Sequence, residues 1–336
     1  GLGVHRAAAA GSGSVIGRRG ALLSLAGLLG GCLEVPVPPA RLGFNAWVGF
    51  DPLVLARDRR LFDNGQLQVV ELATGAETQR HLRNNLLDAA AMTLDEVLRM
   101  RDGGLDLKVV ALLDASRGGD VVMAAPTIRG LADLRGKAIA VEDSSVGTLM
   151  FHRLLEAAGL RPDDVRQVNL EATLHLQALR AGQVAAAVSY QPLAGPMAAA
   201  GFRSVFDSRQ IPGQVLDVLA VRHDVLLARP AAVDAMLQAW QGGLALLQLD
   251  PAGAAESLSV GTDLDPAQYR AVMGGLQFFA PDESLAALSD PTGPVLQGGR
   301  EVARLMRGLG LLRSEPDWAR MIDTGPARRV LTGDRG

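Results

Sequence analysis

The sequence predicts an α/β protein built as two lobes, each a mainly parallel sheet flanked by helices. From residue 41 onward, short apolar runs alternate with stretches of helical spacing, the pattern of parallel strands joined by helices. The 336 residues are enough for two domains of ordinary size. No flexible Gly/Ser linker separates the two α/β series, so we expect two strand crossings to join the lobes as a hinge.

The composition is that of a folded chain. Hydrophobic residues make up 48% and charged residues 21%, which excludes a wholly disordered chain and a polytopic membrane protein. The formal net charge is −3, and Lys108 and Lys137 are the only lysines. A mildly acidic body without a basic tract does not attract nucleic acid, so no nucleic-acid partner is expected.

The amino-terminal segment differs from the rest. Arg18-Arg19 precedes the apolar run 21–29, and small residues follow it, a pattern typical of a secretory signal peptide. The run is about half of the roughly 20 residues needed to span a bilayer. We therefore predict a signal peptide over residues 1–31, with export by the general secretory or the twin-arginine route left open.

The end of that segment resembles a bacterial lipobox, Leu29-Gly30-Gly31-Cys32, whose cysteine is lipidated. Cys32 is the only cysteine, so no disulfide can form within the chain. We predict lipidation at Cys32 and a proline-containing tether over residues 32–40. The alternative is an ordinary signal peptide that ends in a cysteine by chance.

The elements follow in order along the chain. The first series predicts strands at 41–46, 66–71, 88–92 and 107–113, with helices at 52–61, 76–85 and 94–101. The second predicts strands at 121–125, 137–141, 165–170, 184–189 and 204–206, with helices at 147–158, 173–181 and 192–200. A strand at 215–221 follows, and then helices at 230–248, 251–260, 266–276, 294–309 and 318–321. Prolines begin the helices at 230, 251 and 266, where proline suits the first turn.

These elements predict the lobe boundaries. The first lobe is expected to comprise residues 41–116 with 223–336, and the second residues 121–217. The crossings are expected at 115–122 and 217–221.

The usual catalytic motifs do not occur in the sequence. Gly-x-Ser-x-Gly, a Walker loop and His-Glu-x-x-His are absent, and the five histidines never fall at metal-ligand spacing. We therefore expect no catalytic residue, no metal and no cofactor, and a protein that is not an enzyme.

Candidate ligand-binding residues lie in the loops that follow the predicted strands. In α/β sheets, ligands bind outside the carboxyl ends of strands, where helix N-termini converge. This rule selects Trp47, Thr74, Thr93, Asp95, Ser144, Ser145, Gly147, Thr148, Tyr190, Gln191 and Asp217. The hydroxyl-rich loop 144–148 suits an anionic head group, and the ring of Trp47 suits a flat or aliphatic body.

Each of these residues has a structural alternative. Thr93, Ser145 and Asp95 would equally cap helices, and Trp47 would equally be buried core. If Asp95 is unpaired and faces the cleft, it favours an amine or an amidine-like ring over an anion.

Several segments resemble a known family. Segment 44–57, followed by Leu61-Phe62, resembles the opening of ABC-importer substrate-binding proteins of the nitrate/sulfonate/taurine and thiamine-pyrimidine (NMT1/THI5-like) type. Segment 131–141 resembles the Leu-x-x-Leu-x-Gly-Lys signature of that family. Segment 179–186 resembles its Leu-x-x-Gly-x-Val-Asp-Ala run, with Ala185 in place of the acid.

The resemblance implies a two-lobed periplasmic-binding-protein fold of type II that closes on its ligand by hinge motion. It implies a receptor that captures a small polar solute and delivers it to an ABC permease in the inner membrane. We expect a monomer in the periplasm or at the cell surface, held at the membrane by the lipid anchor on Cys32.

The resemblance leaves the ligand and the exact role open. The strand-end loops carry no dense basic set that would indicate nitrate or a sulfonate, so an anion, an amine and a pyrimidine all remain candidates. The alternatives to transport are a ligand-sensing lipoprotein and an enzyme on the same fold, like the pyrimidine- or chorismate-processing relatives.

Overall fold

The computed structural model describes residues 37–333, apart from the side chain of Ser145. The predicted signal peptide, the predicted lipidation at Cys32 and residues 32–36 of the predicted tether lie outside these residues. No helix within the described part of the chain is both long enough and apolar enough to cross a bilayer.

Eleven strands are formed within residues 37–333. They are β1 (Ala40–Asn45), β2 (Leu67–Leu72), β3 (Ala89–Thr93), β4 (Leu107–Ser116), β5 (Asp120–Ala124), β6 (Ala138–Val141), β7 (Arg166–Asn169), β8 (Ala186–Tyr190), β9 (Arg203–Asp207), β10 (Leu216–Arg222) and β11 (Leu276–Phe278).

The helices cover both sheets and most of the carboxyl-terminal third of the chain. They are α1 (Asp51–Asp58), α2 (Gly75–Arg83), α3 (Leu94–Asp102), α4 (Ser145–Ala158), α5 (His175–Arg180), α6 (Ala194–Ala199), α7 (His223–Ala228), α8 (Pro230–Leu249), α9 (Pro251–Leu258), α10 (Pro266–Met273), α11 (Pro281–Ser289), α12 (Gln297–Gly308), α13 (Trp318–Met321) and α14 (Gly325–Thr332).

The first sheet has six strands in the order β11-β4-β10-β3-β1-β2. Strand β1 pairs in parallel with β2 and β3, whereas β10 is antiparallel to both β3 and β4. Strands β1 to β4 therefore run in one direction, with β10 inserted in reverse between β3 and β4.

The second sheet has five strands in the order β7-β6-β8-β5-β9. Strand β6 pairs in parallel with β7 and β8, and β5 is antiparallel to β8 and β9. Here again one reversed strand, β5, interrupts strands that share a direction. We call each sheet with the helices packed on it a lobe. The predicted two-lobed α/β class is confirmed.

Alternating burial explains why these segments form strands between two helical layers. In β10, Val218 and Ala220 face one apolar core, while Leu219 and Val221 face the core on the other side of the sheet. A period of two residues with both faces apolar is typical of a fully buried strand.

The chain passes between the sheets twice, at residues 117–119 and 208–215. The second passage comes earlier than predicted. Segment 217–221, predicted as the crossing, lies inside β10, because its apolar side chains are buried between β3 and β4.

One strand and three α-helices of the described chain were not predicted from the sequence. Strand β11 lies at the end of the predicted helix 266–276, where its backbone pairs with the end of β4. Helices α7, α11 and α14 have only six, nine and eight residues, too few to give a clear apolar period.

Candidate functional site

A small cavity lies between the two sheets. Both lobes contribute to its wall. The first lobe and the return passage supply Asn45, Trp47, Phe50, Gly75, Thr93, Glu96, Val215 and Asp217, and the second lobe supplies Asp120, Glu142, Val146 and Tyr190.

The sheet topology brings these residues together. Thr93 and Tyr190 are the last residues of β3 and β8, so they lie at the carboxyl edge of each sheet. Because β5 and β10 run in reverse, Asp120 at the start of β5 and Asp217 one residue into β10 lie at that same edge. Asp120 is therefore paired across the ladder with Tyr190, and Asp217 with Thr93.

Trp47 is fixed by contacts on three sides. Its Nε1 donates a hydrogen bond to Oδ2 of Asp217 at 2.7 Å. Its ring meets that of Tyr190 edge-on, with the centroids 6.1 Å apart. A Cβ at Gly119, in the first passage between the sheets, would collide with the ring. This tryptophan joins the two lobes at the cavity.

Asp217 is also opposite a second carboxyl group. Asp114 on β4 is its cross-strand partner in the ladder, and both side chains are fully buried. Burial raises the pKa of both groups, and the charge of Asp114 raises the pKa of Asp217 further. Two adjacent buried carboxyls cannot both ionise easily, so at neutral pH the pair retains a proton.

The pKa values of the other acidic groups at the cavity are also raised. Burial raises the pKa of Asp120 and of Glu142 to about 7 each. Burial, followed by the charge of Asp95, raises the pKa of Glu96 to about 8. Among the described residues that line the cavity, none is Lys, Arg or His.

Several buried polar atoms at the wall have no hydrogen-bond partner within the described chain. They are Oγ1 of Thr93, Oδ2 of Asp120, Oε1 of Glu142, Oη of Tyr190 and Oδ1 of Asp217. Buried polar groups in folded proteins are nearly always paired, so unpaired acceptors that converge on one cavity indicate a place for a ligand.

Two ion pairs cross between the lobes beside the cavity. Arg80 on α2 lies 3.6 Å from Glu171, and Arg99 on α3 lies 3.9 Å from Asp143. Each guanidinium lies outside the cavity wall and is partly exposed to solvent. Their charges lower the pKa of Glu142 and Asp95 somewhat, against the larger effect of burial.

Four of the predicted site residues line the cavity, namely Trp47, Thr93, Tyr190 and Asp217. Thr74 and Ser144 instead cap helices, accepting hydrogen bonds from the backbone N–H groups of Glu77 and Gly147 at 3.2 and 3.1 Å. Both side chains therefore cap helices rather than face the cavity. They shape the wall indirectly, because they fix the starts of α2 and α4.

The remaining predicted residues do not reach the wall. Asp95 is buried in the first turn of α3, and Gly147 approaches the carbonyl oxygen of Glu142 so closely that a Cβ would lie 2.7 Å from it. The Thr148 hydroxyl donates to the carbonyl oxygen of Ser144 at 3.0 Å. Gln191 follows the last residue of β8 but lies outside the cavity, and the side chain of Ser145 lies outside the described part.

Sequence reasoning missed eight wall residues. They are Asn45, Phe50, Gly75, Glu96, Asp120, Glu142, Val146 and Val215. Asn45 and Glu142 stand at strand ends, so the rule that selected the other candidates would have found them. Asp120 had no such signal, because it begins a strand whose reversal is visible only in the folded sheet.

Among the described residues, no three His, Cys, Asp or Glu side chains are grouped so that they would hold a metal ion. The carboxyls around the cavity are therefore spread over its wall rather than converging on one point.

Two sheets of equivalent strand order, joined by two passages and enclosing a polar cavity, define the bilobal fold of periplasmic binding proteins. The chain belongs to the NMT1-like family, which residues 34–260 match. The family predicted from the sequence is thus confirmed.

Solved structures of this fold are similar over most of the chain. The alkanesulfonate-binding protein SsuA from Xanthomonas axonopodis pv. citri superposes with a TM-score of 0.71 at 20% identity, covering 85% of this chain and 99% of that one. The nitrate-binding protein NrtA from Synechocystis PCC 6803 gives a TM-score of 0.67 at 14% identity, covering 88% and 89%. The desulfurization enzyme DSZB gives 0.63 at 17% identity, covering 88% and 100%.

Among curated proteins, a protein of Brucella abortus named as a binding protein is 24% identical over 191 residues. The match covers 54% of this chain and 54% of the Brucella protein. The chain therefore spans about half the length of the curated relatives it matches.

Proposed function

We propose that this chain is an extracytoplasmic solute-binding receptor that captures a small polar solute between its lobes and delivers it to an ABC importer. The observation that carries the proposal is a cavity whose unpaired polar atoms come from both sheets, from Thr93 and Asp217 on one side and Asp120 and Tyr190 on the other. A ligand that touches both walls binds the closed arrangement better than the open one, and so shifts the hinge equilibrium.

The similar structures support this role. Besides the sulfonate- and nitrate-binding proteins, the ligand-binding component of an ABC-type import system from Staphylococcus aureus superposes with a TM-score of 0.72 at 13% identity. A receptor of this kind presents its closed, loaded form to a permease, so a permease in the inner membrane is the expected partner.

The location follows from the amino-terminal motif. Lipidation of Cys32 would hold the receptor at the membrane, in the periplasm or at the cell surface, with residues 32–40 as the spacer. The protein would be a monomer whose hinge joins the two lobes at residues 117–119 and 208–215.

A catalytic role is the second candidate, because DSZB is an enzyme on this fold and because the wall carries carboxyls with raised pKa values. Such groups serve as general acids and bases at neutral pH. We favour binding alone, since the sequence contains none of the usual nucleophile or metal motifs.

The test is a thermal-shift screen of the full chain against small anions, amines and pyrimidines, since a ligand of the native state raises the melting temperature. For each hit, X-ray scattering should detect lobe closure, and mass spectrometry should recover the compound unchanged. A hit that is converted to product would show that the protein is an enzyme rather than a receptor. A hit that binds without closure would contradict the hinge mechanism.

Transport and anchoring need separate measurements. Deleting the gene in the source organism should abolish uptake of the identified solute, whereas a sensor would leave uptake intact. Mass spectrometry of the exported protein should find diacylglycerol on Cys32. An unmodified Cys32, or a mature amino terminus elsewhere, would contradict the anchor.

A further inference from the structure

We infer that the solute is a small organic cation bearing N–H donors, an ammonium, amidinium or guanidinium group, held by carboxyl groups that both lobes contribute. The inference rests on the proposed function, because it takes the cavity as the solute site, and it narrows the solute to one sign of charge.

The charge of the wall is the first step. Glu96 and Asp217 approach from the first lobe, and Asp120 and Glu142 from the second, while no described residue of the wall carries a positive charge. In a buried site, electrostatic interactions are much stronger than in water. At pH 8, where Asp120 and Glu142 are mostly ionised, an anion here would face negative carboxylates without a counter-charge, whereas a cation would supply that counter-charge.

The unpaired atoms are the second, independent step. Oδ2 of Asp120, Oε1 of Glu142 and Oη of Tyr190 have no hydrogen-bond partner within the described chain. Only 5% of Asp120 and 9% of Tyr190 is exposed, so bulk water reaches neither freely. An ionised carboxylate only accepts hydrogen bonds, and ammonium and guanidinium groups only donate them. The wall and the inferred ligand are complementary in this respect.

The remaining wall residues indicate an organic ion. Trp47, Phe50 and Tyr190 bring aromatic rings to the cavity, and Val146 and Val215 bring apolar carbon. Aromatic rings attract organic cations, and apolar side chains accept a carbon skeleton. The carboxyls are not clustered for a metal ion anywhere in the described chain.

Binding of such a cation is coupled to protons, because the carboxyls must ionise to receive it. Burial raises the pKa of Asp120 and of Glu142 to about 7, so both are partly protonated at neutral pH. The titratable groups that act on Asp120 are Asp95, Asp114, Asp217 and Tyr190. Those that act on Glu142 are Glu96, Glu171, Tyr190 and the guanidinium of Arg80. Cation affinity should therefore rise from pH 6 to pH 8, with protons released on binding.

The inference separates this chain from two of its structural neighbours. Those proteins are named for alkanesulfonate and nitrate, both anions. The shared fold therefore would serve a ligand of opposite charge here.

The experiment is isothermal titration calorimetry of the full chain at pH 8 with five probes: putrescine, agmatine, tetramethylammonium, ethanesulfonate and nitrate. We expect putrescine or agmatine to bind and the two anions not to bind. Tetramethylammonium, which has the charge but no N–H donor, should bind at least about tenfold more weakly than the better amine, because it cannot donate hydrogen bonds to the carboxylates.

Isosteric variants identify the groups responsible. Asp120→Asn and Glu142→Gln should each weaken binding of the amine by at least about tenfold. The matched control is Asp163→Asn, which removes one negative charge from an exposed position of the second lobe and should leave affinity unchanged. Without ligand, Asp120→Asn should raise the melting temperature at pH 8, because it removes a buried charge without a counter-charge.

The outcomes separate the two proposals. Binding of ethanesulfonate or nitrate, with no binding of either amine, overturns the cation inference and leaves the receptor role standing. Amine binding that both isosteric variants leave unchanged also overturns it, because the cation would then lie elsewhere. Amine binding at this cavity without lobe closure supports the cation inference and counts against the receptor role.

Discussion

The two lobes share one strand order but differ in how much structure covers them. The order β2-β1-β3-β10-β4 in the first sheet corresponds to β7-β6-β8-β5-β9 in the second. The first sheet adds β11 at its edge, and the carboxyl-terminal third of the chain packs on this lobe as well, including the 20-residue helix α8. The second sheet is covered by few and mostly short helices.

The cores of the lobes differ accordingly. The first sheet has extensive apolar cores on both faces, with Phe44, Leu219 and Trp240 in one of them. The outer face of the second sheet has a small core, built from residues such as Leu179 and Met197. Stability within a protein follows the local density of buried apolar contacts. We therefore expect the first lobe to be the more rigid of the two and the second to be the lobe that moves.

The cavity shows where the lobes are equivalent. Asp217, the second residue of reversed strand β10, lies opposite Thr93 at the end of β3. Asp120, the first residue of reversed strand β5, lies opposite Tyr190 at the end of β8. Each lobe therefore places an acid and a hydroxyl at corresponding points of the same strand order. A polar cleft of this kind therefore arises because both lobes repeat the same strand order.

The largest expected effect breaks the contact between the lobes at Trp47. Trp47→Ala should destabilise the chain by about 3–5 kcal/mol, because it removes a buried aromatic ring. Trp47→Phe should cost about 1.5–3 kcal/mol, since Asp217 then loses its hydrogen-bond donor. Urea unfolding of the full chain measures both.

A variant of Tyr190, the aromatic residue that Trp47 contacts in the second lobe, is the control. Tyr190→Phe removes a buried hydroxyl that has no hydrogen-bond partner in the described chain, so it should leave stability unchanged or raise it by about 1 kcal/mol. Equal losses of stability in Trp47→Phe and Tyr190→Phe would contradict the prediction that only the Trp47 side chain makes a stabilising hydrogen bond.

The next prediction concerns the acids that both lobes contribute. The pKa is raised by burial to about 7 for Asp120 and Glu142 and to about 8 for Glu96, above the values of unfolded carboxyls near 4. The folded chain therefore holds more protons than the unfolded chain between about pH 4 and pH 8, and its stability should fall as pH rises through that range.

The slope should approach at most about 1.4 kcal/mol per pH unit for each such group. Unfolding by urea at pH 5, 6.5 and 8 measures it. Asp120→Asn and Glu142→Gln should flatten the slope, and the exposed Asp163→Asn should not. Stability that rises from pH 5 to pH 8 would contradict the assignment of these carboxyls as buried without counter-charge.

A third prediction tests whether the first lobe is more stable against local opening than the second. Amides of α5 and α6, six-residue helices on the small core, should exchange through openings well below the global unfolding free energy of about 5–15 kcal/mol. Amides in the middle of α8 should exchange near the global value. Hydrogen exchange followed by mass spectrometry resolves these segments, and equal protection in both lobes would refute the difference.

The smallest expected effect concerns the ion pairs between the lobes. Glu171→Gln and Asp143→Asn should each change stability by only about 0.2–1 kcal/mol, because the pairs with Arg80 and Arg99 are partly exposed. A few-fold change in ligand affinity, reduced at high salt, is expected because closure is weakened.

A pair within the first lobe provides the control. Glu315→Gln breaks the exposed pair with Arg307, whose atoms lie 2.7 Å apart, and should leave affinity unchanged. A similar loss of affinity in this variant would show that the cross-lobe position of the other pairs is irrelevant.

The sequence by itself determined the family, the α/β class and most of the elements. Period-two apolar runs mark strands because neighbouring side chains face opposite sides of a sheet, and helical spacing marks the segments between them. The rule that ligands lie at strand ends selected Trp47, Thr93 and Tyr190, since it needs only the location of each strand.

Of the four acids at the cavity, only Asp217 was predicted from the sequence; the other three, and the protonation state of all four, follow from the tertiary structure. Strand direction and pairing are set by packing between segments far apart in the chain, so the sequence did not indicate that β5 and β10 would run in reverse. That reversal brings Asp120 and Asp217 to the carboxyl edge of the other strands. Burial then raises their pKa values, because desolvation disfavours the charged form, and burial is a property of the folded chain rather than of any residue in it.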